Sequence, residues 1–227
     1  MVSKFKINET HTLPKIDVKK SPTLNTHAMN IIHLKAFRRH TITRVNHALE
    51  LGKLDTINII RKRTELILSA RRNLAINRLQ YACKTYPAFF ELISLLKNTY
   101  HTSIDKACTQ HKKISDMITL LEKENKFSQK ILDILEDIED VTNLSVTQAA
   151  INTVYLGSIL ATHFLLHASP ISPDTFKEIK QNDAIKHLDC ESSDFPAKLL
   201  AFREWFEKQT SLHFSKTMIK ALRKISA

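Results

Sequence analysis

Apolar side chains recur at steps of three and four residues through most of this chain, which is the spacing of helices that are buried on one side. Within residues 28–51, one such stripe comprises Ile31, Leu34, Ile42, Val45 and Leu49, and Arg38 occupies a position on the same side of the helix. Gly52 follows where glycine commonly ends a helix, and Asp55 is predicted to cap the next helix. This second helix is predicted to run to about Tyr86, because Pro87 interrupts helical hydrogen bonding. The two helices predict a helical hairpin.

The same spacing predicts further helices beyond the hairpin. They cover 88–97, 103–126, a segment from 128, 145–168, 173–188, 196–209 and 215–225. Ser103 and Ser172 are predicted N-caps, and Pro173 suits the first helical position after Ser172. Residues 125–128 are compatible with a kink or with a full break between two helices, and the pattern leaves both open.

Glycine is almost absent, and its absence decides the fold class. The chain has 2 glycines in 227 residues, Gly52 and Gly157, where average usage of about 7% predicts roughly 16. Tight turns between strands and phosphate-binding loops depend on glycine. We therefore predict an all-α protein, a multi-helical bundle with a long basic N-terminal helical hairpin and a buried near-apolar central helix.

Three regions are predicted within what we expect to be one domain. Residues 1–26 contain Pro14 and Pro22, show no sustained period and are predicted to form a flexible basic arm. Residues 27–170 are predicted to form the helical bundle, and residues 171–227 a C-terminal helical segment packed on it. A chain of 227 residues is long enough to bury a core without disulfides.

The cysteines and the N-terminus bear on localisation. Cys83, Cys108 and Cys190 are dispersed and odd in number, which is typical of thiols in a reducing compartment. The N-terminal segment, residues 1–20, contains no apolar stretch of the kind found in secretory signals. Residence in the cytoplasm is expected, with leaderless export as the alternative.

The positive charge is concentrated at the N-terminal side. Residues 1–86 hold 17 basic and 5 acidic side chains, a net charge of +12, whereas residues 87–227 hold 17 basic and 18 acidic ones. Such concentration indicates an anionic partner. The candidate contacts are Arg38, Arg39, Arg44, Arg61, Arg63, Arg71, Arg72 and Arg78.

Four of these arginines share one side of the second predicted helix. Arg61, Arg71, Arg72 and Arg78 fall within a sector of about 120°. The sector also contains apolar residues, namely Ile57, Ile60, Leu68 and Leu79. Guanidinium groups beside an aliphatic stripe can lie on it with their stems and reach phosphates or carboxylates with their heads.

An alternative is that the charge is neutralised inside the molecule. Residues 131–176 contain no Lys or Arg but include Asp133, Glu136, Asp137, Glu139, Asp140 and Asp174. A hairpin packed beside this acidic segment needs no outside partner. The sequence favours neither interpretation.

An external partner is expected to be an acidic protein or an anionic membrane surface. Lys and Arg flanked by Ile and Leu suit either surface. Nucleic acid is disfavoured, because Phe37 is the one aromatic residue in 28–80 and stacking on bases needs several. A small-molecule substrate is also disfavoured, and the sequence indicates no cofactor.

The segment 149–168 carries no formal charge, and a helix of that length is long enough to cross a bilayer. Its polar residues, Asn152 and Thr153 among them, favour a buried helix in a bundle over a membrane span. His163 and His167 lie four positions apart on it, the spacing of a shared metal. They are weak candidates, because no Glu lies between them as a zincin requires, and we expect no metal site.

The block Glu136-Asp137-Ile138-Glu139-Asp140 resembles the aspartate-rich motif of helical isoprenoid synthases. That resemblance implies carboxylates that hold Mg²⁺ against a diphosphate. The first residue here is Glu, and no second metal motif follows downstream. An all-α metal-dependent enzyme that uses the acidic 133–140 helix with His163 or His167 is therefore an alternative, and a solvated acidic helix face is the ordinary explanation.

The C-terminal end after Glu207 contains no Asp or Glu and includes Lys216, Lys220, Arg223 and Lys224. This end resembles the unstructured C-terminal signals of bacterial type IV secretion substrates, which implies a secreted bacterial effector that binds a host protein as a further alternative. No motif for nucleophilic catalysis is present. The expected function is therefore non-catalytic binding of an acidic partner through the basic hairpin.

Overall fold

The computed structural model describes residues 26–97, 103–166, 171–188 and 192–226. Within these ranges the chain forms eight helices and no strands, which confirms the all-α prediction. The helices are α1 (Thr26–Glu50), α2 (Leu54–Ala82), α3 (Phe89–Lys97), α4 (Ile104–Glu124), α5 (Gln129–Leu166), α6 (Pro173–Gln181), α7 (Phe195–Gln209) and α8 (Lys216–Ser226). The arm predicted over 1–26 lies, apart from Thr26, outside the described residues.

The hairpin predicted at the N-terminal side is formed by α1 and α2. Gly52 ends α1 with a φ of 65°, a backbone conformation that glycine adopts without steric cost. The amide of Lys53 then donates to the carbonyl of Ala48 at 2.9 Å, which closes the turn. The predicted cap at Asp55 is wrong, because Lys53 occupies the N-cap position and Asp55 lies in the first turn of α2. Asp55 still complements the positive end of the helix dipole there.

Two other predicted helix starts are confirmed. Ser103 precedes α4, and its hydroxyl accepts a hydrogen bond from the amide of Lys106 at 3.3 Å. Ser172 does the same for α6, accepting from the amide of Thr175 at 3.2 Å. Each hydroxyl satisfies an amide that has no partner within its own helix.

Helix α5 is one continuous element of 38 residues and the centre of the bundle. The sequence predicted a segment from 128 and a separate helix over 145–168, but the structure joins them. Residues 125–128 form a full break, because Asn125 ends α4 in an extended conformation. At 1.5 Å per residue α5 is about 57 Å long, and it contacts α1, α2, α4, α6 and α8.

Among the described residues, one helical stretch, Gln129–His163, is long and apolar enough to cross a membrane, with a mean hydropathy of 1.2. In this structure 83% of its most apolar window is buried within the protein. Such burial is typical of a core helix, and it agrees with the buried central helix that the sequence predicts.

The core has two main clusters arranged along α5. Its N-terminal half packs with α3, α4 and the end of α2, around Leu79, Phe89 and Leu135. Its C-terminal half packs with the hairpin turn and with α6, α7 and α8, around Phe195 and Phe206. A smaller cluster of Leu34, Leu68, Val141 and Leu144 lies beside α1 and α2. Helices α1, α2, α4, α6 and α8 therefore pack directly on α5, whereas α3 packs chiefly on α2 and α7 chiefly on α8.

The sixth helix is shorter than predicted. The pattern predicts a helix over 173–188, whereas α6 ends at Gln181. Asn182 is buried at this point, and its side-chain oxygen accepts a hydrogen bond from the amide of Ala184 at 3.0 Å. This local side-chain bond offers the backbone an alternative to helical pairing and turns the chain after α6.

Candidate binding surface on the basic hairpin

The side of α2 on which the sequence placed four arginines faces the interior of the bundle. Ile57, Ile60, Leu68 and Leu79 of that sector are buried. Arg72 is also buried, at 4% exposure. We call this side the inner face of α2.

Arg78 on the inner face forms an ion pair with α5. Its Nη1 donates to Oδ2 of Asp137 at 2.8 Å, and the two side chains are 14% and 2% exposed. Burial lowers the pKa of Arg78, while the charge of Asp137 opposes that shift. Removing one partner of so enclosed an ion pair is strongly destabilising, because the charge of the other partner stays buried.

Arg61 on the inner face is held by three different groups. Its Nη1 donates to Oε2 of Glu178 in α6 at 2.7 Å. Its Nε and Nη2 donate to Oδ1 of Asn58 at 3.2 and 3.1 Å. The guanidinium carbon lies 4.7 Å from the centre of the Tyr155 ring, which adds a cation–π contact. Arg61 therefore links α2 to α5 and α6.

The other two arginines of the predicted sector are also engaged. Arg71 and Arg72 each have an interaction partner within the protein. Arg71 is half-buried, and its charge contributes to lowering the pKa of Arg78. Neither side chain is therefore an unengaged cation.

Helix α1 adds a second link to the acidic segment. Nζ of Lys35 donates to Oε1 of Glu136 at 2.6 Å and lies 4.0 Å from Oδ2 of Asp140. The hydrogen bond with Glu136 raises the pKa of Lys35. Internal neutralisation by the acidic segment, which the sequence left open, thus occurs at Lys35 and Arg78, whereas the partner of Arg61, Glu178, lies outside that segment.

The opposite side of α2 is exposed from Ile59 to Tyr81, and we call it the outer face of α2, together with Lys84 in the turn after the helix. Within the helix it comprises Ile59, Lys62, Arg63, Leu66, Ala70, Asn73, Asn77, Gln80 and Tyr81. These helical positions fall within about 120° around the helix axis. The outer face includes three cations and no carboxylate. Asp55, in the first turn of α2, lies on the same side of the helix one turn before Ile59, and Glu65 lies at the edge of the face.

Three apolar side chains on the outer face are unusually open to solvent. Ile59 is 68% exposed, and Leu66 and Tyr81 are each 72% exposed. Lys62 and Arg63 lie between the two aliphatic residues, one helical turn from each. Nζ of Lys84 lies 5.4 Å from the centre of the Tyr81 ring. The outer face therefore combines positive charge with apolar surface.

The sequence included Arg63 among its candidates but missed the rest of this face. The available signal was the set Ile59, Lys62, Arg63 and Leu66, whose spacing already placed two aliphatic residues and two cations on one side.

On α1 the candidate arginines have different environments. Arg39 and Arg44 are exposed, whereas Arg38 is half-buried. Arg38 and Arg39 line a cavity of about 470 Å³ between α1 and α5, which also includes Asp140. Arg44 does not line this cavity.

Three carboxylates of the acidic 133–140 segment are each engaged by a different group. Glu136 contacts Lys35, Asp137 contacts Arg78, and Glu139 accepts a hydrogen bond from the hydroxyl of Ser115 at 2.8 Å. Across the part of the chain that the structure describes, no group of three or more His, Cys, Asp or Glu could hold a metal ion.

The histidine pair is described only in part. Nδ1 of His163 is buried and has no hydrogen-bond partner among the described residues. His167 lies outside the described residues.

The C-terminal end is helical up to Ser226. Residues that resemble an unstructured secretion signal form α8, which packs on α7 and buries Met218. This is the helix predicted over 215–225, and residues 216–226 do not have the unstructured character of the signals they resemble.

Comparison of the chain with protein-family models, with curated proteins and with solved structures gives no match.

Proposed function

We propose that this protein is a non-catalytic binding protein that engages an anionic partner through the outer face of α2. The observation that carries this proposal is the asymmetry of α2. Its inner cations have partners within the protein, whereas Lys62 and Arg63 are exposed and form no ion pair within the described ranges. Cations on such a face attract an anionic surface because no contact within the protein neutralises them.

Of the two partner classes, an anionic membrane surface fits this face better than an acidic protein. The exposed apolar side chains beside Lys62 and Arg63 are the aliphatic ones of Ile59 and Leu66, while Tyr81 lies beside Lys84. Binding hot spots between proteins are enriched in Trp, Tyr and Arg, with Leu under-represented, so Tyr81 and Arg63 also suit a protein partner whereas Leu66 does not. Aliphatic side chains flanked by Lys and Arg are instead typical of helices that lie at a membrane interface.

The N-terminal arm is expected to strengthen this attraction. Residues 1–25 carry five lysines, against Glu9 and Asp17. A basic residue close to an anionic leaflet contributes about 1 kcal/mol of attraction, which falls off within a Debye length.

The proposal is tested by flotation of the full chain with vesicles of phosphatidylcholine alone or with about 30% phosphatidylserine. Reversing the charge of the outer face with K62E/R63E is expected to reduce binding to the anionic vesicles by at least about tenfold, because four charge units change on the contact surface. The matched control is K112E/K113E, which reverses two neighbouring exposed lysines on α4. This control is expected to retain most of the binding.

Two results would contradict the proposal. Equal loss in both variants would show that net charge alone drives binding, and absence of binding to anionic vesicles would exclude the membrane. A poly-glutamate column distinguishes the other partner class. Retention there that is lost in K62E/R63E but not in K112E/K113E would assign the outer face to an acidic protein.

A catalytic function has less support. The carboxylates of the acidic segment are engaged by Lys35, Arg78 and Ser115 rather than directed at a common point. Catalysis through paired metal ions would require such convergence.

A further inference from the structure

A groove between α1 and α5 is lined by charged and polar groups from both helices. On α1, residues Lys35, Arg38, Arg39 and Ile42 lie on one side of the helix, at the spacing of two turns. Asp140 and Asn143 of α5 lie on the groove wall, together with Ser211 from the loop after α7. The groove has a volume of about 470 Å³.

A second cavity of about 260 Å³ adjoins the first. The two share Arg38, Ile42 and Ser211, and the second extends to Lys208. Together they are large enough for a small organic molecule, whose binding sites typically begin at about 300 Å³.

The wall of the groove is fixed by hydrogen bonds to α1. Nδ2 of Asn46 donates to the carbonyl of Ser211 at 2.9 Å, and its Oδ1 accepts from the amide of His213 at 3.0 Å. One side chain thus anchors the loop at two points. The groove is therefore formed in the protein without a ligand.

Two polar atoms at this groove are buried and unsatisfied. Nε of Arg38 and Oδ2 of Asp140 have no hydrogen-bond partner among the described residues. The Asp140 side chain is 9% exposed, and the nearest cation, Nζ of Lys35, is 4.0 Å from its Oδ2. Buried polar atoms are nearly always hydrogen-bonded in proteins, so these two atoms require a partner that the described residues do not supply.

We propose that this groove binds a small organic anion that also carries a hydrogen-bond donor. Arg38 and Arg39 bind its carboxylate or phosphate, because a guanidinium matches the geometry of either group. Asp140 accepts the hydrogen bond of a hydroxyl or amino group on the same molecule. The ligand thereby supplies hydrogen-bond partners to the two residues whose buried atoms lack them.

This site is independent of the proposed function, because Lys62 and Arg63 do not line the groove. It also revises the expectation from sequence that a small molecule is disfavoured. That expectation followed from the absence of a motif, whereas the groove joins side chains from α1 and α5, which are far apart in the sequence.

Isothermal titration of the full chain with two matched pairs of anions tests the proposal. Citrate and tricarballylate differ by one hydroxyl group, as do 3-hydroxypropyl phosphate and propyl phosphate. The hydroxylated member of at least one pair is expected to bind about five- to tenfold more tightly, because it alone donates to Asp140. The pair that binds identifies the anionic group as carboxylate or phosphate.

Variants connect that binding to the groove. R38Q is expected to weaken binding by at least about tenfold, whereas R44Q, which removes the same charge from an exposed position outside the groove, changes it by less than about twofold. R39Q, at an exposed position, replaces R38Q if that variant does not fold, with the same expectation. D140L is expected to abolish the difference between hydroxylated and unhydroxylated anions.

Three results would overturn the proposal. The first is the absence of binding by all four anions at about 5 mM, a concentration at which even a weak specific site is occupied. The second is an equal effect of R38Q or R39Q and R44Q, which would indicate non-specific charge attraction. The third is a hydroxyl preference that persists in D140L, which would remove Asp140 from the site.

Discussion

The inner and outer faces of α2 carry the same sign of charge on one continuous helix, but the two sets of cations have different surroundings. On the inner face, Arg61 and Arg78 form ion pairs with carboxylates of α6 and α5. On the outer face, Lys62 and Arg63 are exposed beside aliphatic side chains. Ion pairs within the protein therefore make the charge that is available to a partner smaller than the net charge of the segment. Here the excess of basic side chains in the N-terminal part overstates that available charge.

The chemistry of the side chains follows this division. The four cations of the inner face, at positions 61, 71, 72 and 78, are all arginines, whereas the outer face carries Lys62 and Lys84 beside Arg63. Guanidinium is more weakly hydrated than ammonium and offers several donors in one plane, so it suits enclosed ion pairs. The more strongly hydrated ammonium of lysine suits a surface that stays in water.

The largest expected effect comes from breaking the most enclosed pair on the inner face. R78M is expected to lower the free energy of unfolding by about 4 kcal/mol, because Asp137 is left with a buried charge. R63M, the same substitution on the outer face, is expected to change it by less than about 0.5 kcal/mol. Urea denaturation at pH 7 measures both, and similar values for the two variants would contradict the division into faces.

The pH dependence of stability tests the burial of Asp140. Burial raises its pKa to about 6, with Lys35 opposing the shift and the neighbouring carboxylates adding to it. The folded state therefore favours the protonated carboxyl, and this contribution is fully present below pH 4 and is lost as the pH rises through 6. This contribution to the free energy of unfolding is at most about 3 kcal/mol.

The measurement is the difference between wild type and D140N in free energy of unfolding from pH 4 to pH 8. D140N is expected to be less dependent on pH across 4 to 6 and to be the more stable protein at pH 8. A difference that stays constant with pH would show that Asp140 titrates normally.

Arg61 is expected to contribute less than Arg78 to the free energy of unfolding, because its partner Glu178 is partly exposed. R61Q is expected to lower the free energy of unfolding by about 1 to 2 kcal/mol through loss of the ion pair and the contact with Tyr155. A double-mutant cycle with E178Q is expected to give a coupling of about 1 kcal/mol or less. A coupling above about 3 kcal/mol would mean that this pair is as enclosed as the pair of Arg78.

Charge reversal on the outer face should have the smallest effect on stability. K62E/R63E is expected to change the free energy of unfolding by less than about 0.5 kcal/mol, because both side chains are in solvent. Thermal unfolding followed by circular dichroism checks this. A large loss would indicate that these residues support the fold and would remove them as contact candidates.

The features that the sequence predicted correctly are those decided by neighbouring residues. Ser103 and Ser172 cap helices through amides three positions away, and Gly52 ends α1 through its own φ angle. The all-α fold class was predicted from composition, namely from the near-absence of glycine. The join of two predicted segments into α5 was not predicted, because the change from charged to uncharged residues near 141 looked like a boundary. Helical hydrogen bonding continues through such a change.

The orientation of α2 required tertiary information, although part of the signal was present. Leu68 and Leu79 lie in the same sector as Arg61 and Arg78, and a sector with that many apolar residues faces a core. Which carboxylate each arginine meets depends on how α5 and α6 are placed beside α2. The groove at Asp140 was beyond sequence reasoning, because no local pattern links it to Arg38.

The most direct test of this account compares R61Q with R63Q in flotation with anionic vesicles. The two substitutions remove the same charge from positions two apart in the chain, one on the inner and one on the outer face of α2. R63Q is expected to weaken binding about fivefold, consistent with about 1 kcal/mol for one basic residue at an anionic surface, while R61Q leaves binding unchanged. Equal weakening by the two variants, or a larger effect of R61Q, would contradict the claim that, among the cations of α2, those on the outer face are the ones available to a partner.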